Sequence, residues 1–216
     1  MVDSYKHKGM RRQLVKAVQA KGIEDERILS IIGKVPRHFF FENALEGHAY
    51  EDKAFPIGAG QTISQPYTVA FQSALLKVQP GAKILEIGTG SGYQSIVLLE
   101  LGADVYTIEY QKELFERTKA FLPRMGYRPN FFFGDGSKGI SRFAPYDKII
   151  VTAGAPTVPD ALIDQLNIGG ILVIPVGNAK TQQMLRITKT GENKVRTERF
   201  TDFKFVPLLG ADGWKK

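Results

Sequence analysis

Apolar positions recur along this chain at two different spacings, and the change of spacing divides it. Near the start Met10, Leu14 and Val18 fall every four residues, one face of a helix over residues 8–21 that Gly22 closes. Asp25 is placed to cap a second helix running through Ile32 and ending at Gly33. Pro36 then opens an aromatic-rich segment, Val35–Leu45, which completes a helical lead-in. Residues 47–66 follow neither period. They hold Pro56, Gly58, Gly60 and Pro66 and read as a long loop, a feature often tied to function in compact domains. Pro66 suits the first position of a helix, and Tyr67–Lys77 carries Val69, Phe71, Leu75 and Leu76.

Beyond Pro80-Gly81 short apolar runs alternate with helical stretches. Strands are expected at Lys83–Ile87, Asp104–Glu109, Asn130–Phe133 and Lys148–Thr152, with helices at Ser91–Leu101 and Lys112–Met125 between them. A short helix near Asp160–Leu166 and a turn at Ile168-Gly169-Gly170 lead to a strand at Ile171–Val176. The remainder shows no strong helix. Met184–Thr188, Val195–Phe200 and Phe203–Leu208 read as strands, with Gly191 in a turn between the first two. Alternation of this kind implies a doubly wound, mainly parallel α/β sheet with an antiparallel end. There is no internal repeat.

The sharpest local feature is Ile84–Gln94, ILEIGTGSGYQ: strand, three alternate glycines, helix. Glycine permits positive φ and close approach of a ligand to the backbone. A dinucleotide fingerprint needs glycine or alanine three residues after its second glycine. The residue at that position is Tyr93 or Ser95, depending on where the count starts, so a dehydrogenase is disfavoured. The pattern E-x-G-x-G-x-G resembles the cofactor loop of S-adenosylmethionine-dependent methyltransferases, which wraps the amino-acid end of the cofactor.

Composition narrows the chemistry. The 216 residues include no cysteine and three histidines without ligand spacing, so a thiolate nucleophile is excluded and a metal site is not expected. His38 reads as a packed or surface histidine. No apolar run reaches the length of a membrane span and the N-terminus has no apolar leader, so a cytoplasmic protein is the expectation. The net charge of +7 permits nucleic-acid binding without establishing it, because the basic residues are scattered, with Lys215 and Lys216 at the end.

In an open parallel sheet, ligands bind beyond the carboxyl ends of the strands. The first such end offers Glu86 and the turn Gly88, Gly90 and Gly92. The second ends in Glu109, 21 residues after Gly88, a spacing at which a carboxylate reaches a ribose diol. The third ends in Gly134-Asp135-Gly136. That is either an Asp-Gly turn or a holder for an adenine amine, and its place at a third consecutive strand end favours the second. The fourth ends in Thr152-Ala153-Gly154-Ala155-Pro156, small residues that leave room where a methyl donor and acceptor meet.

Seven segments in this order resemble one family, protein-L-isoaspartate O-methyltransferase, over nearly the whole chain. They are VPRHFF (35–40), GQTISQPYTVA (60–70), ILEIGTGSGYQ (84–94), GDGSKG (134–139), APYDKIIVTAGAP (144–156), LNIGGILVIPVG (166–177) and FVPLLG (205–210). The resemblance implies a seven-stranded Rossmann-like sheet in a single domain. Residues 1–66 would form the helical lead-in and substrate loop, 67–177 the cofactor-binding core and 178–216 the C-terminal strands. It implies S-adenosylmethionine as methyl donor, S-adenosylhomocysteine as product and no metal. The acceptor is the free carboxylate of isoaspartyl residues in damaged proteins, with D-aspartyl residues left open, and the protein is expected to be a monomer without nucleic-acid or membrane partners.

The resemblance also makes Ser64 the candidate catalytic residue and adds Thr62 and Thr89 to the cofactor contacts. Ile57, Gly58, Ala59, Gly60 and Gln61, with Val206 and Leu208, become walls of the substrate channel. Read from the residues alone, Ser64 is a helix cap ahead of Pro66, and both roles are compatible. The chain departs from the family pattern at Ser137-Lys138, where many relatives carry a bulky apolar residue, and at Gly154, where alanine is frequent. The rival readings are a nucleic-acid methyltransferase and a non-catalytic cofactor-binding protein. The first lacks both a Pro-Pro-aromatic motif at the fourth strand end and a cysteine; intact TISQP speaks against the second.

Overall fold

The structure is a computed structural model that describes residues 2–214, the Asn43 side chain excepted; Lys215 and Lys216 lie outside the described residues. Helix α1 (Tyr5–Gln19) starts three residues earlier than its apolar spacing indicates. Ser4 caps it, and Ser4 and His7 bond each other's backbone N–H. Helix α2 (Glu26–Lys34) is capped by Asp25, whose carboxylate accepts from the Arg27 and Ile28 amides. Two 3-10 turns, Arg37–Phe40 and Asn43–His48, complete the lead-in.

The stretch 47–66 is not structureless. It contains a hairpin of β1 (Phe55–Gly58) and β2 (Gln61–Ile63). Ala59 (φ 49°) and Gly60 (φ 68°) make its turn, both at positive φ as a two-residue hairpin turn requires. Alanine at the first of these positions hid the turn from a residue-type reading. Helix α3 (Pro66–Leu76) then begins with its proline at the first position.

The core follows as β3 (Lys83–Ile87), α4 (Tyr93–Glu100), β4 (Asp104–Glu109), α5 (Lys112–Phe121), β5 (Asn130–Phe133), β6 (Tyr146–Val151) and α6 (Asp160–Asp164). The expected helix to Met125 instead tightens into a 3-10 turn over Leu122–Met125, where Pro123 removes an amide donor. Strands β7 (Leu166–Gly177), β8 (Gln182–Gly191) and β9 (Lys194–Phe203) close the sheet. The expected turn at 168–170 lies inside β7, as a register break opposite β6. The expected strand Phe203–Leu208 is not formed: past Phe203 the described residues make only isolated bridges, Pro207 with Gly154 and Leu209 with Trp214.

The strand order is β5-β4-β3-β6-β7-β8-β9, with β8 alone reversed. Side chains alternate between two cores. Ile84, Ile150 and Val173 face the one that also takes α1–α4, while Leu85, Ile87, Ile149, Val151, Leu172 and Ile174 face the other. Between β3 and β6 the chain order reverses direction, so the carboxyl ends of β3, β4 and β6 surround a crevice.

Candidate active site

The glycine turn after β3 is shaped by its neighbours. Gly88 takes φ 93°, and a Cβ there would lie 2.6 Å from Thr152 Oγ1. Gly92 takes φ 82° as the N-cap of α4, and a Cβ would fall 2.8–2.9 Å from Leu122 and Thr118. Both positions therefore exclude any side chain. The Thr152 hydroxyl donates to Gly88 O (2.6 Å) and Ile87 O (3.0 Å), and the Thr118 hydroxyl to Gly90 O (2.6 Å). Three elements thus clamp one turn.

Glu109, at the end of β4, is buried beside this turn. One carboxylate oxygen accepts from the Gly90 amide and the other from the Gln111 amide, each at 2.8 Å. The carboxylate is held in place and keeps further lone pairs for a diol. Thr89 Oγ1 pairs with Thr107 Oγ1 at 2.6 Å beneath it.

A cleft opens above these residues. Of the expected cofactor contacts, Thr62, Gly88, Thr89, Gly90, Glu109, Gly136 and Thr152 line it. Gln61, Ser64, Val206 and Leu208 line it as well. Glu86, Gly92 and Asp135 do not. Gly92 stands behind the turn. Asp135 accepts from Ser137 and from the Ala211 amide (2.8 Å), which ties the C-terminal segment down. Glu86 is fully buried under the turn, its carboxylate accepting from the Ser95 hydroxyl. Burial pushes its carboxyl up to about 7; the Ser95 and Thr107 hydroxyls oppose the rise and the Glu109 carboxylate adds to it.

A second cavity, lined by Lys21, Gln65, Tyr67, Thr201 and Phe203–Val206, adjoins the first. Thr62, Ser64, Thr152 and Val206 belong to the walls of both. Ile57 and Gly58 line neither and border a third groove with Phe39–Phe41. Ala59 and Gly60 form the hairpin tip away from all three.

Several residues that hold the site escaped the sequence reading. Ser64 does not cap α3. The cap residue is Gln65, and the Tyr67 amide at the helix start donates to Asp52 at 2.8 Å. Arg37 is fully buried and donates to Ala49 O (3.0 Å), Lys53 O (3.4 Å) and Ser64 O (2.8 Å), with its guanidinium 4.7 Å from the Tyr93 ring centre. Burial lowers its pKa to about 10, so it stays charged at neutral pH. A lone cation inside the aromatic run VPRHFFF was the available signal. The C-terminal wall is stitched to Gly154: Val206 O accepts from its amide, and its carbonyl accepts from the Leu208 amide and the Trp214 indole. The absence of a side chain at Gly154 is matched by Gln182, which fills the space to within 2.7 Å of where a Cβ would lie.

Of the two expected readings of His38, packed or surface, the structure shows the packed one. Its ring nitrogens face Tyr50 Oη (2.6 Å) and Val2 O (3.1 Å), and burial lowers its pKa. The fold brings Asp3, His7 and His38 close together, yet Asp3 is taken by Arg11, and His7 by Glu46.

The sheet, the glycine turn and the acid at the next strand end together define the S-adenosylmethionine-dependent methyltransferase class. Comparison with known proteins narrows it. The family model described as protein-L-isoaspartate(D-aspartate) O-methyltransferase matches residues 9–213. A protein-L-isoaspartate O-methyltransferase of Cytophaga hutchinsonii is 62% identical over 99% of this chain and 97% of its own. A solved protein-L-isoaspartate O-methyltransferase superposes with a TM-score of 0.83 at 28% identity, covering 94% of this chain and 67% of that one. A Plasmodium falciparum protein of the same family, solved with S-adenosyl-L-homocysteine, gives 0.78 at 25% identity over 92% and 98%. The chain belongs to the protein-L-isoaspartate(D-aspartate) O-methyltransferase family.

Proposed function

We infer that this protein methylates the free carboxylate of isoaspartyl residues in damaged proteins, with S-adenosylmethionine as donor. The observation that carries the reading is the junction of two cavities at Thr62, Ser64, Thr152 and Val206. One cavity has the donor set for a nucleoside with an amino-acid tail: the glycine turn, the anchored Glu109 and the backbone at Gly136. The other opens to solvent beside the C-terminal wall and takes the acceptor peptide.

Bound in the first cavity, the cofactor supplies a methyl group on a sulfonium that leaves as a neutral thioether. The residues have correspondingly little proton chemistry to do. A carboxylate is already ionised at neutral pH, so no general base is required. One carboxylate oxygen forms the new C–O bond, and the C–S pair stays on sulfur. Arg37 holds the Ser64 carbonyl, leaving the Ser64 hydroxyl at the junction to orient the incoming carboxylate. Alignment and exclusion of water do the rest. The methyl ester then closes spontaneously to a succinimide, as the amide nitrogen of the following residue bonds to the ester carbonyl carbon and methanol leaves; hydrolysis of the ring returns part of the material to aspartate.

We further propose Glu109 for the ribose, the Gly136 end for adenine and the glycine turn for the amino-acid tail. Gln61 and Leu208, with Thr62, Ser64 and Val206, would meet the substrate, while Thr152 would face the cofactor. Ile57–Gly60 would act through the hairpin rather than by direct contact. Glu86, Gly92 and Asp135 are assigned as supports of these contacts. A single domain, a monomer, a cytoplasmic setting and no nucleic-acid partner complete the proposal. The single domain is supported by one continuous sheet that includes the C-terminal strands, the cytoplasmic setting by an intracellular cofactor, and the lack of a nucleic-acid partner by scattered basic residues.

The test is methyl transfer from labelled S-adenosylmethionine to an isoaspartyl peptide, with the aspartyl isomer as control. Base-labile label on the isoaspartyl peptide alone is expected; transfer to neither removes the acceptor assignment. Ser64→Ala should lower kcat while cofactor affinity stays near normal.

A further inference from the structure

Three of the four residues at the cavity junction carry hydroxyl groups, and the three are not equivalent. Thr152 Oγ1 lies 2.6 Å from Gly88 O and 3.0 Å from Ile87 O. Carbonyl oxygens only accept, and a threonine hydroxyl has a single proton. That proton is therefore committed to the turn, and only lone pairs remain on Oγ1. Gly88 keeps one side of this oxygen clear, since a Cβ there would approach it to 2.6 Å. The hydroxyls of Thr62 and Ser64, by contrast, bond to nothing among the described residues and can turn their protons outward.

This difference sorts the two reactants. An acceptor carboxylate is an anion and needs donors, which Thr62 and Ser64 can be and Thr152 cannot. A methyl group on a positive sulfur has polarised C–H bonds and needs an acceptor, the only role left to Thr152. We propose that Thr152 is a catalytic residue that contacts the transferring methyl group through C–H···O interactions, and so tells the sulfonium cofactor from its neutral thioether product. The assignment rests on the cofactor placement proposed above. It explains how the site can favour the donor before transfer and loosen its hold afterwards, with no residue changing protonation.

The experiment measures dissociation constants for S-adenosylmethionine and S-adenosylhomocysteine by calorimetry, in wild type, Thr152→Val and Thr152→Ser. Valine keeps the shape and removes the oxygen; serine restores it. A C–H···O contact is worth a small factor, so Thr152→Val should weaken S-adenosylmethionine about two- to fivefold and leave S-adenosylhomocysteine within about twofold. Thr152→Ser should retain the wild-type ratio. With 13C-methyl-labelled cofactor bound, the methyl proton resonance should sit downfield in wild type and Thr152→Ser and move upfield in Thr152→Val. Equal weakening of both ligands would show that Thr152 only braces the glycine turn, and an unmoved methyl resonance would remove the contact; either overturns the proposal. Failure of the wild type to bind either ligand would sink the cofactor placement itself, a distinct result.

Discussion

Glu86 is a carboxyl group with no solvent exposure and, among the described residues, no cation beside it, and that makes the stability of this protein pH-dependent in an unusual direction. Burial raises its pKa from 4.5 to about 7 in the folded chain, with Glu109 as a further repulsive neighbour. The unfolded chain returns it to the ordinary value. Between those two pH values the folded state binds a proton that the unfolded state does not, so stability falls as pH rises. The contribution is fully present below 4.5 and is lost as pH passes through 7. At ~1.4 kcal/mol per pH unit the whole interval is worth about 3 kcal/mol. Glu86→Gln imitates the protonated form at every pH. Urea denaturation of the cofactor-free protein should find the variant and wild type close at pH 5. At pH 8 the variant should be more stable by about 3 kcal/mol, or about 6–12 °C in Tm for a chain of this size. The difference between the two proteins is the quantity to read, because the other titrating groups cancel in it. Parallel profiles, or a variant less stable throughout, would refute the account of Glu86 as a buried, unpaired acid.

Other perturbations test other parts of the frame. Arg37→Met leaves the carbonyls of Ala49, Lys53 and Ser64 without their donor, and should cost about 3–5 kcal/mol in urea denaturation. Arg37→Lys should recover only part of this, since an ammonium cannot span three carbonyls as a planar fork does. Gly154→Ala drives a Cβ into Gln182 and should cost about 1–3 kcal/mol. Combination with Gln182→Ala should be less than additive in Tm, and strict additivity would break the link between the two sites. Glu109→Gln places an amide against the Gly90 or Gln111 N–H and should weaken S-adenosylhomocysteine about 10- to 100-fold by calorimetry. Unchanged affinity would detach Glu109 from the ribose.

What the sequence determined by itself was local and periodic. The strands Lys83–Ile87, Asp104–Glu109 and Asn130–Phe133 were legible to the residue, because alternation and turn glycines act over a few positions. The cap at Asp25, the helix start at Pro66, the glycine turn and the placement of Glu109 one strand away were legible for the same reason. Motif order carried the family. What remained for the tertiary structure depends on partners far apart in the chain. The order β7-β8-β9 at the sheet edge follows from pairings that no single strand encodes. The β1–β2 hairpin was hidden by an alanine at positive φ, a conformation its neighbours impose. The α3 amide is satisfied by Asp52, 15 residues earlier, rather than by Ser64 next to it. The separation of Glu86 from the cleft, and the meeting of Thr62, Ser64, Thr152 and Val206 at one junction, exist only once β3, β6, the hairpin and the C-terminal segment pack together. Spacing along a chain reports which residues share a strand or a turn; burial and hydrogen-bond partners are set by what the fold lays against them.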